Sequence, residues 1–264
     1  MIHPTRGGLG CDRKLTLRPG RCQTTLVVQK MIDAATATTD TNKERAMEAL
    51  EIIAWIFVLL GVGTGLAILR DVTRHPQPMK IMNVTWPVNG LFTPVFGWWI
   101  YKKLGRPDAD AGGHVHKPKW QSTLVGVTHC AGGCVLGDSI AAPIVSIVGF
   151  TVASSLLLGH FVGEFFAAYL FGIAFQMIPM MSMGESNPFR AFINAIKADT
   201  LSLVAFEIGM FGFIALSFKV FLPEEPHVTS ATFWFMMQIA MIIGFATAYP
   251  ANWWLIQRGI KHGM

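Results

Sequence analysis

Charge is what this sequence has least of. Only 14% of its 264 residues are Asp, Glu, Lys or Arg, against 52% apolar residues. Soluble domains carry about 25% charged residues. Together with a mean hydropathy of +0.45, this scarcity excludes an ordinary soluble domain and points to a chain that lives in lipid. The formal net charge of +5 is no nucleic-acid signal, because no Lys/Arg-rich helix is interleaved with aromatics. The basic residues fall in tails and loops, where they set membrane orientation. Cysteine is scarce as well, with Cys11, Cys22, Cys130 and Cys134 the whole set, which excludes a disulfide framework. The chain also lacks a Gly-rich phosphate loop, an HExxH, a GxSxG and a CxxCH. The enzyme classes that these motifs mark are therefore not supported, and the reading leans away from an enzyme.

Long apolar runs fill the rest. Residues 1–46 are polar, basic at first and then rich in Thr, Ala and Asp, and lack a signal-peptide core. They read as a disordered tail, with Met31 or Met47 as alternative translation starts. Residues 47–264 then read as one all-α, polytopic transmembrane helix bundle. Spans are expected at 47–69, 83–101, 160–181, 195–221 and 229–250, each near the length a bilayer needs. The second is interrupted by Pro87 and Pro94. Gly61, Gly63 and Gly65 offer the first a close-packing face. Residues 121–158 are too long for one straight helix, which would exceed about 50 Å against a ~30 Å core. Gly137-Asp138 and Pro143 suggest a broken or re-entrant helix there. Loop charge beyond residue 42 chooses the count: six spans put eleven of those Lys and Arg inside and four outside, whereas seven give eight against seven. Six spans are expected, with both termini cytoplasmic, in the inner (cytoplasmic) membrane.

Chemistry concentrates at Thr128-His129-Cys130-Ala131-Gly132-Gly133-Cys134-Val135-Leu136-Gly137-Asp138. An ionisable residue at a helix centre in lipid costs about 2.5–3.5 kcal/mol on insertion scales. Cys130 and Cys134 are i and i+4, so on a helix they share a face, Asp138 continues the row, and His129 lies one residue round. Two soft thiolates select Cu(I), with Zn(II) second. The plainer reading makes the cysteines small hydrophobes and Asp138 a helix cap. Met177, Met180, Met181 and Met183 form a thioether cluster that could extend a copper path or simply pack the core. Gln176 beside it is a possible interhelical hydrogen-bonder. Asp199, Ser202, Glu207 and Met210 fall near one helical stripe, and Glu207 lies well inside an apolar run, as a proton or ion relay would. Asp199 near the interface could instead be a cap. His160 and Glu164 can pair at i, i+4. His114 and His116 read as solvated loop residues. Asn252 with Trp253-Trp254 reads as an interfacial anchor, with Tyr249 able to reach inward.

From about residue 47 onward the chain resembles DUF4396, a family of bacterial and archaeal membrane proteins of unknown function. The resemblance is carried by HCAGGCVLGD (129–138), LFGIAFQMIPM (170–180), KADTLSLVAFEIGMFG (197–212) and FWFMMQIAMIIGFATAYPANWWLIQRGIK (233–261). Its pattern H-C-x-x-G-C-x-L-G-D is matched by His129, Cys130, Gly133, Cys134, Leu136, Gly137 and Asp138. It implies a multi-helix membrane protein and supplies no reaction. The residues themselves lead to an expected metal site at His129, Cys130, Cys134 and Asp138, extended by Met177, Met180 and Met181. Glu207 and Asp199 would couple a proton or ion. The function expected is binding and movement or delivery of copper. A membrane dithiol redox protein and a structural or assembly subunit are the alternatives. Partners would be the lipid bilayer, the metal ion, and a membrane protein or second copy, with no nucleic acid.

Overall fold

A computed structural model describes residues 19–106, 118–182, 184–220 and 226–261. His114, His116, Met183 and Pro223 lie outside them. The chain divides into two compact units, Met1–Leu50 and Glu51–Met264. In the first, the described residues form the opening part of helix α1 (Pro19–Arg74), exposed wherever their burial is described, except for half-buried Leu50. This helix begins ahead of the expected first span.

The second unit is an all-α bundle, with no extended strand among the described residues. After α1 come α2 (Met82–Phe92), α3 (Phe96–Ile100) running into a π-helical turn (Tyr101–Gly105), and four long helices, α4 (Lys119–Val148), α5 (Leu156–Ser182), α6 (Pro188–Val220) and α7 (Ala231–Gln257). Five of these, α1 and α4 to α7, are long and apolar enough to cross a membrane. The chain is thus a multi-pass membrane protein by helix length and composition.

The helix ends follow local chemistry. Asn187 Oδ1 accepts the backbone N–H groups of Phe189 and Arg190 at the start of α6, with Pro188 in the first helical position, where its missing N–H costs nothing. Ser230 Oγ accepts the Phe233 N–H at the start of α7. Gly149, at φ 68°, ends α4 in the left-handed region.

The break expected within 121–158 falls elsewhere. Residues Lys119–Val148 form one continuous helix, about 45 Å long, which passes through both Gly137 and Pro143. Gly137 keeps the helical course because it serves a different purpose: a Cβ there would sit 2.6 Å from the Ala168 Cα of α5. The interrupted segment is instead the expected second span. Residues 82–92 enter the bundle, the chain turns at Thr93–Val95, and residues 96–106 return to the end they left. Four contacts fix this course. The Trp86 and Tyr101 rings lie 5.6 Å apart. A side chain at Gly105 would meet the Trp86 indole. Tyr101 Oη donates to Asp71 Oδ2 at 2.9 Å, and Arg106 Nε pairs with the same oxygen at 3.2 Å. At the tip, the Val95 N–H donates to Thr64 Oγ1 at 2.9 Å, and Gln238 Nε2 donates to the Leu91 carbonyl at 2.8 Å. Pro94 removes a helical N–H at that turn, which accounts for the break.

A re-entrant hairpin adds no net crossing. Five helices of crossing length and a hairpin therefore stand where six spans were expected. We call the end holding Asp71, Arg106, Lys119 and Arg258 the basic end, and the end holding Thr151 and His227 the far end.

Small residues set how closely the helices approach. At Gly133 an added Cβ would lie 2.7 Å from the Gly172 Cα, so α4 and α5 cross backbone to backbone along Gly133-xxx-Gly137 and Ala168-xxx-Gly172. Gly132 faces Thr85 of α2, and Gly65 faces Leu91.

Candidate functional site

The interior face of α4 carries His129, Cys130, Cys134 and Asp138, all at most 2% exposed. The facing stripe of α6 recurs every three to four residues through Ala195, Asp199, Ser202, Leu203, Phe206, Glu207 and Met210, all buried. The α6 stripe read from the sequence is therefore the packed face, and Asp199 on it is at 0% exposure. Together these faces build a line of ionisable and soft groups through the bundle.

Nearest the basic end, Lys261 Nζ pairs with Asp199 Oδ1 at 2.8 Å, both side chains 1% exposed. Lys261 comes from the turn after α7, which folds back at Gly259 (φ 67°). His129 lies within electrostatic reach of this pair and beside Gln176 of α5. Asp199 Oδ2 faces Gly172, 3.7 Å from where a Cβ would stand. Next along the line, Cys130 Sγ lies 3.2 Å from Ser202 Oγ, which also receives a hydrogen bond from Asn252 Nδ2. Asn252 is fully buried, not an interfacial anchor. Tyr249 turns outward to the Trp120 carbonyl. Cys134 follows one turn beyond Cys130, and both thiols are free.

Toward the far end, Asp138 of α4, Glu207 of α6 and Glu164 of α5 come within electrostatic reach of one another. All three are at most 2% exposed. Both carboxylate oxygens of Asp138 and both of Glu207 have no hydrogen-bond partner among the described residues, and the same holds for both His129 nitrogens. Glu164 Oε1 lies 2.8 Å from His160 Nδ1, and His160 Nε2 lies 3.1 Å from Ser146 Oγ. These last three residues line a cavity of about 170 Å³ at the far end, together with His227, Met236 and Met237. A second, mostly apolar cavity of about 900 Å³ lies beside the hairpin, lined by Trp86, Asn89, Trp99, Lys103, Trp120 and Gln238 among others.

Of the residues expected to act together, the bundle gathers His129, Cys130, Cys134, Asp138, Asp199 and Glu207 along one line but does not converge them on one point. No group of three or more His, Cys, Asp or Glu among the described residues is arranged to hold a metal ion. His129 looks toward Asp199 and Lys261, and Asp138 toward Glu207. Of the methionine trio, Met181 is 45% exposed, and Met177 and Met180 are half-buried near the basic end of α5. Lys261 escaped the sequence reading because it lies beyond the last apolar run. Its position just past a Gly-containing turn was the one signal available.

A long-helix bundle with a re-entrant hairpin and a buried acid and thiol line defines a polytopic membrane protein with an intramembrane polar site. More particularly, the chain belongs to the family described as Domain of unknown function (DUF4396), whose model matches residues 119–261. The matched stretch holds α4 to α7 and Lys261, hence every member of the polar line. Residues 47–118, with the first crossing and the hairpin, fall outside it. No curated protein and no solved structure matches the chain.

Proposed function

We propose that this protein carries a soft cation through its bundle, with Cu(I) as the cargo. The observation that carries the reading is the pair of free, fully buried thiols Cys130 and Cys134 on one face of α4, set midway along a line of ionisable groups. Thiolates select soft cations, and Cu(I) is satisfied by two of them, whereas structural Zn(II) sites take four ligands. Asp138 and Glu207 supply negative charge close by for a cation in transit. Intramembrane carboxylates of this kind mark ion pathways more often than they serve packing. A carrier needs sites that release as well as bind, and a pair of thiols with no third ligand suits release. The methionines fall outside this pathway.

The charge of the loops supports an orientation in the cytoplasmic membrane. Every described Lys and Arg from Glu51 onward, Lys219 apart, lies at or toward the basic end. By the positive-inside rule that end faces the cytoplasm, and the far-end cavity opens on the opposite side.

The test is elemental analysis of detergent-purified protein loaded with Cu(I) under reducing conditions, wild type beside C130S/C134S. About one copper per chain, lost in the double variant, is the expected result. No copper in the wild type overturns the reading. Reversible thiol oxidation in that copper-free protein would favour a membrane dithiol in its place.

A further inference from the structure

The far end holds a feature that cation binding at the thiols does not require. His160 bridges a cavity and a buried acid: one ring nitrogen lies 3.1 Å from Ser146 Oγ, the other 2.8 Å from Glu164 Oε1. The His160 side chain is 12% exposed and that of Glu164 3%, so the pair spans the boundary between the cavity and the interior. Beyond Glu164 lie Asp138 and Glu207, buried, with all four carboxylate oxygens unpartnered among the described residues. Three buried carboxylates within electrostatic reach of one another are costly in a low-dielectric interior, and a proton is the smallest ion that relieves them.

We propose that His160 and Glu164 form a proton port that connects the far-end cavity to the buried Glu164 carboxyl, the acid of the interior cluster that the cavity reaches. In the forward step, the imidazole gains a proton at Nε2 from the cavity side, where Ser146 lies. It releases the proton on Nδ1 to Glu164 Oε1. The ring ends neutral in its other tautomer, and Glu164 ends as the acid. Asp138 and Glu207 lie within electrostatic reach of Glu164, so a proton held on Glu164 offsets the charge of all three carboxylates. The groups facing the port from the surrounding elements are His227 in the cavity, Phe233, Met236 and Met237 of α7, Asp138 of α4 and Glu207 of α6. Among them, only His227 is a base and only the two carboxylates are acids. His227 Nδ1 lies 2.8 Å from Thr229 Oγ1, and among the described residues His160 is the histidine in contact with Glu164. The geometry that supports the port holds whatever cargo the thiols carry.

The experiment is infrared spectroscopy of detergent-purified, copper-free protein, following exchange of a buried protonated-carboxyl band after transfer into deuterated buffer. H160Q, E164Q and S146A are measured beside the wild type, together with copper binding by each. A carboxyl band that is lost in E164Q and exchanges with bulk protons in the wild type is expected. H160Q should slow that exchange at least about tenfold while binding copper as the wild type does. S146A, which leaves the His160–Glu164 contact in place, should slow it less. Absence of an exchanging band that E164Q removes, or equal exchange in the wild type and H160Q, overturns the port. If H160Q does not fold, H160N is read in its place by the same criterion. Absence of copper binding with proton exchange through His160 retained would sink the cargo reading and leave the port standing.

Discussion

At the residue scale, the most demanding pair in the bundle is Asp199 with Lys261, an ion pair with each side chain 1% exposed. Removing one partner of such a pair strands a charge away from water, at about 3–5 kcal/mol. K261M should therefore lower the thermal midpoint of detergent-solubilised protein sharply, and D199N/K261M should recover most of the loss. Equal loss in the single and double variants would show that packing, not charge, holds the site. The sequence placed Asp199, Ser202 and Glu207 on one stripe because spacing is visible in a chain. It did not show that a lysine after the last helix folds back to meet Asp199, since only the tertiary course brings residues 62 apart together. Asn252 was misread for the same reason. Beside two tryptophans it resembles an anchor, yet it faces Ser202, because its neighbours 253 and 254 point away from it around the helix.

At the element scale, the glycines in the cysteine segment serve helix contact. An added Cβ at Gly133 would lie 2.7 Å from Gly172 Cα, whereas Gly63 has nothing within 4 Å. G133L should force α4 from α5 and lose folded protein, by at least about 1–3 kcal/mol for an overpacked contact. G63A should leave stability unchanged within about 0.5 kcal/mol. Monodisperse G133L with an unchanged thermal midpoint would contradict the crossing. The elements themselves were legible because long apolar runs leave little choice of structure. The interruptions were less so. Proline and glycine mark both a real break, at Pro94, and positions inside an intact helix, at Pro143 and Gly137. A membrane helix tolerates proline where neighbouring groups satisfy the freed carbonyl, so composition alone does not separate the two cases.

At the scale of the whole molecule, five crossings and a hairpin make a specific statement about sidedness. Single cysteines introduced at Ser154 and at Gln77, in a background with Cys11, Cys22, Cys130 and Cys134 replaced by serine, should react with a membrane-impermeant maleimide from opposite sides. Ser154 is expected to label in intact cells and Gln77 only after lysis. Labelling of both from one side would contradict the course of the chain. Counting charge in loops led to six spans because any apolar run of the right length counts as a crossing. The run at 83–101 has that length and still turns back. Trp86 packs against Tyr101, joining the outgoing and returning limbs.

The hairpin also bears on how the chain is laid into the membrane during synthesis. If residues 82–106 were to cross instead of turning back, every later helix would be inverted and the loops richest in Lys and Arg would be exported. Lys102, Lys103 and Arg106 stand just where the returning limb reaches the basic end, with Lys102 and Arg106 drawn to Asp71 and the ammonium groups of Lys102 and Lys103 resting on Trp98 and Trp99. Replacing these three side chains should therefore raise the fraction of molecules inserted the other way round, read by the same maleimide labelling, because fewer positive charges would oppose export of the hairpin's returning end.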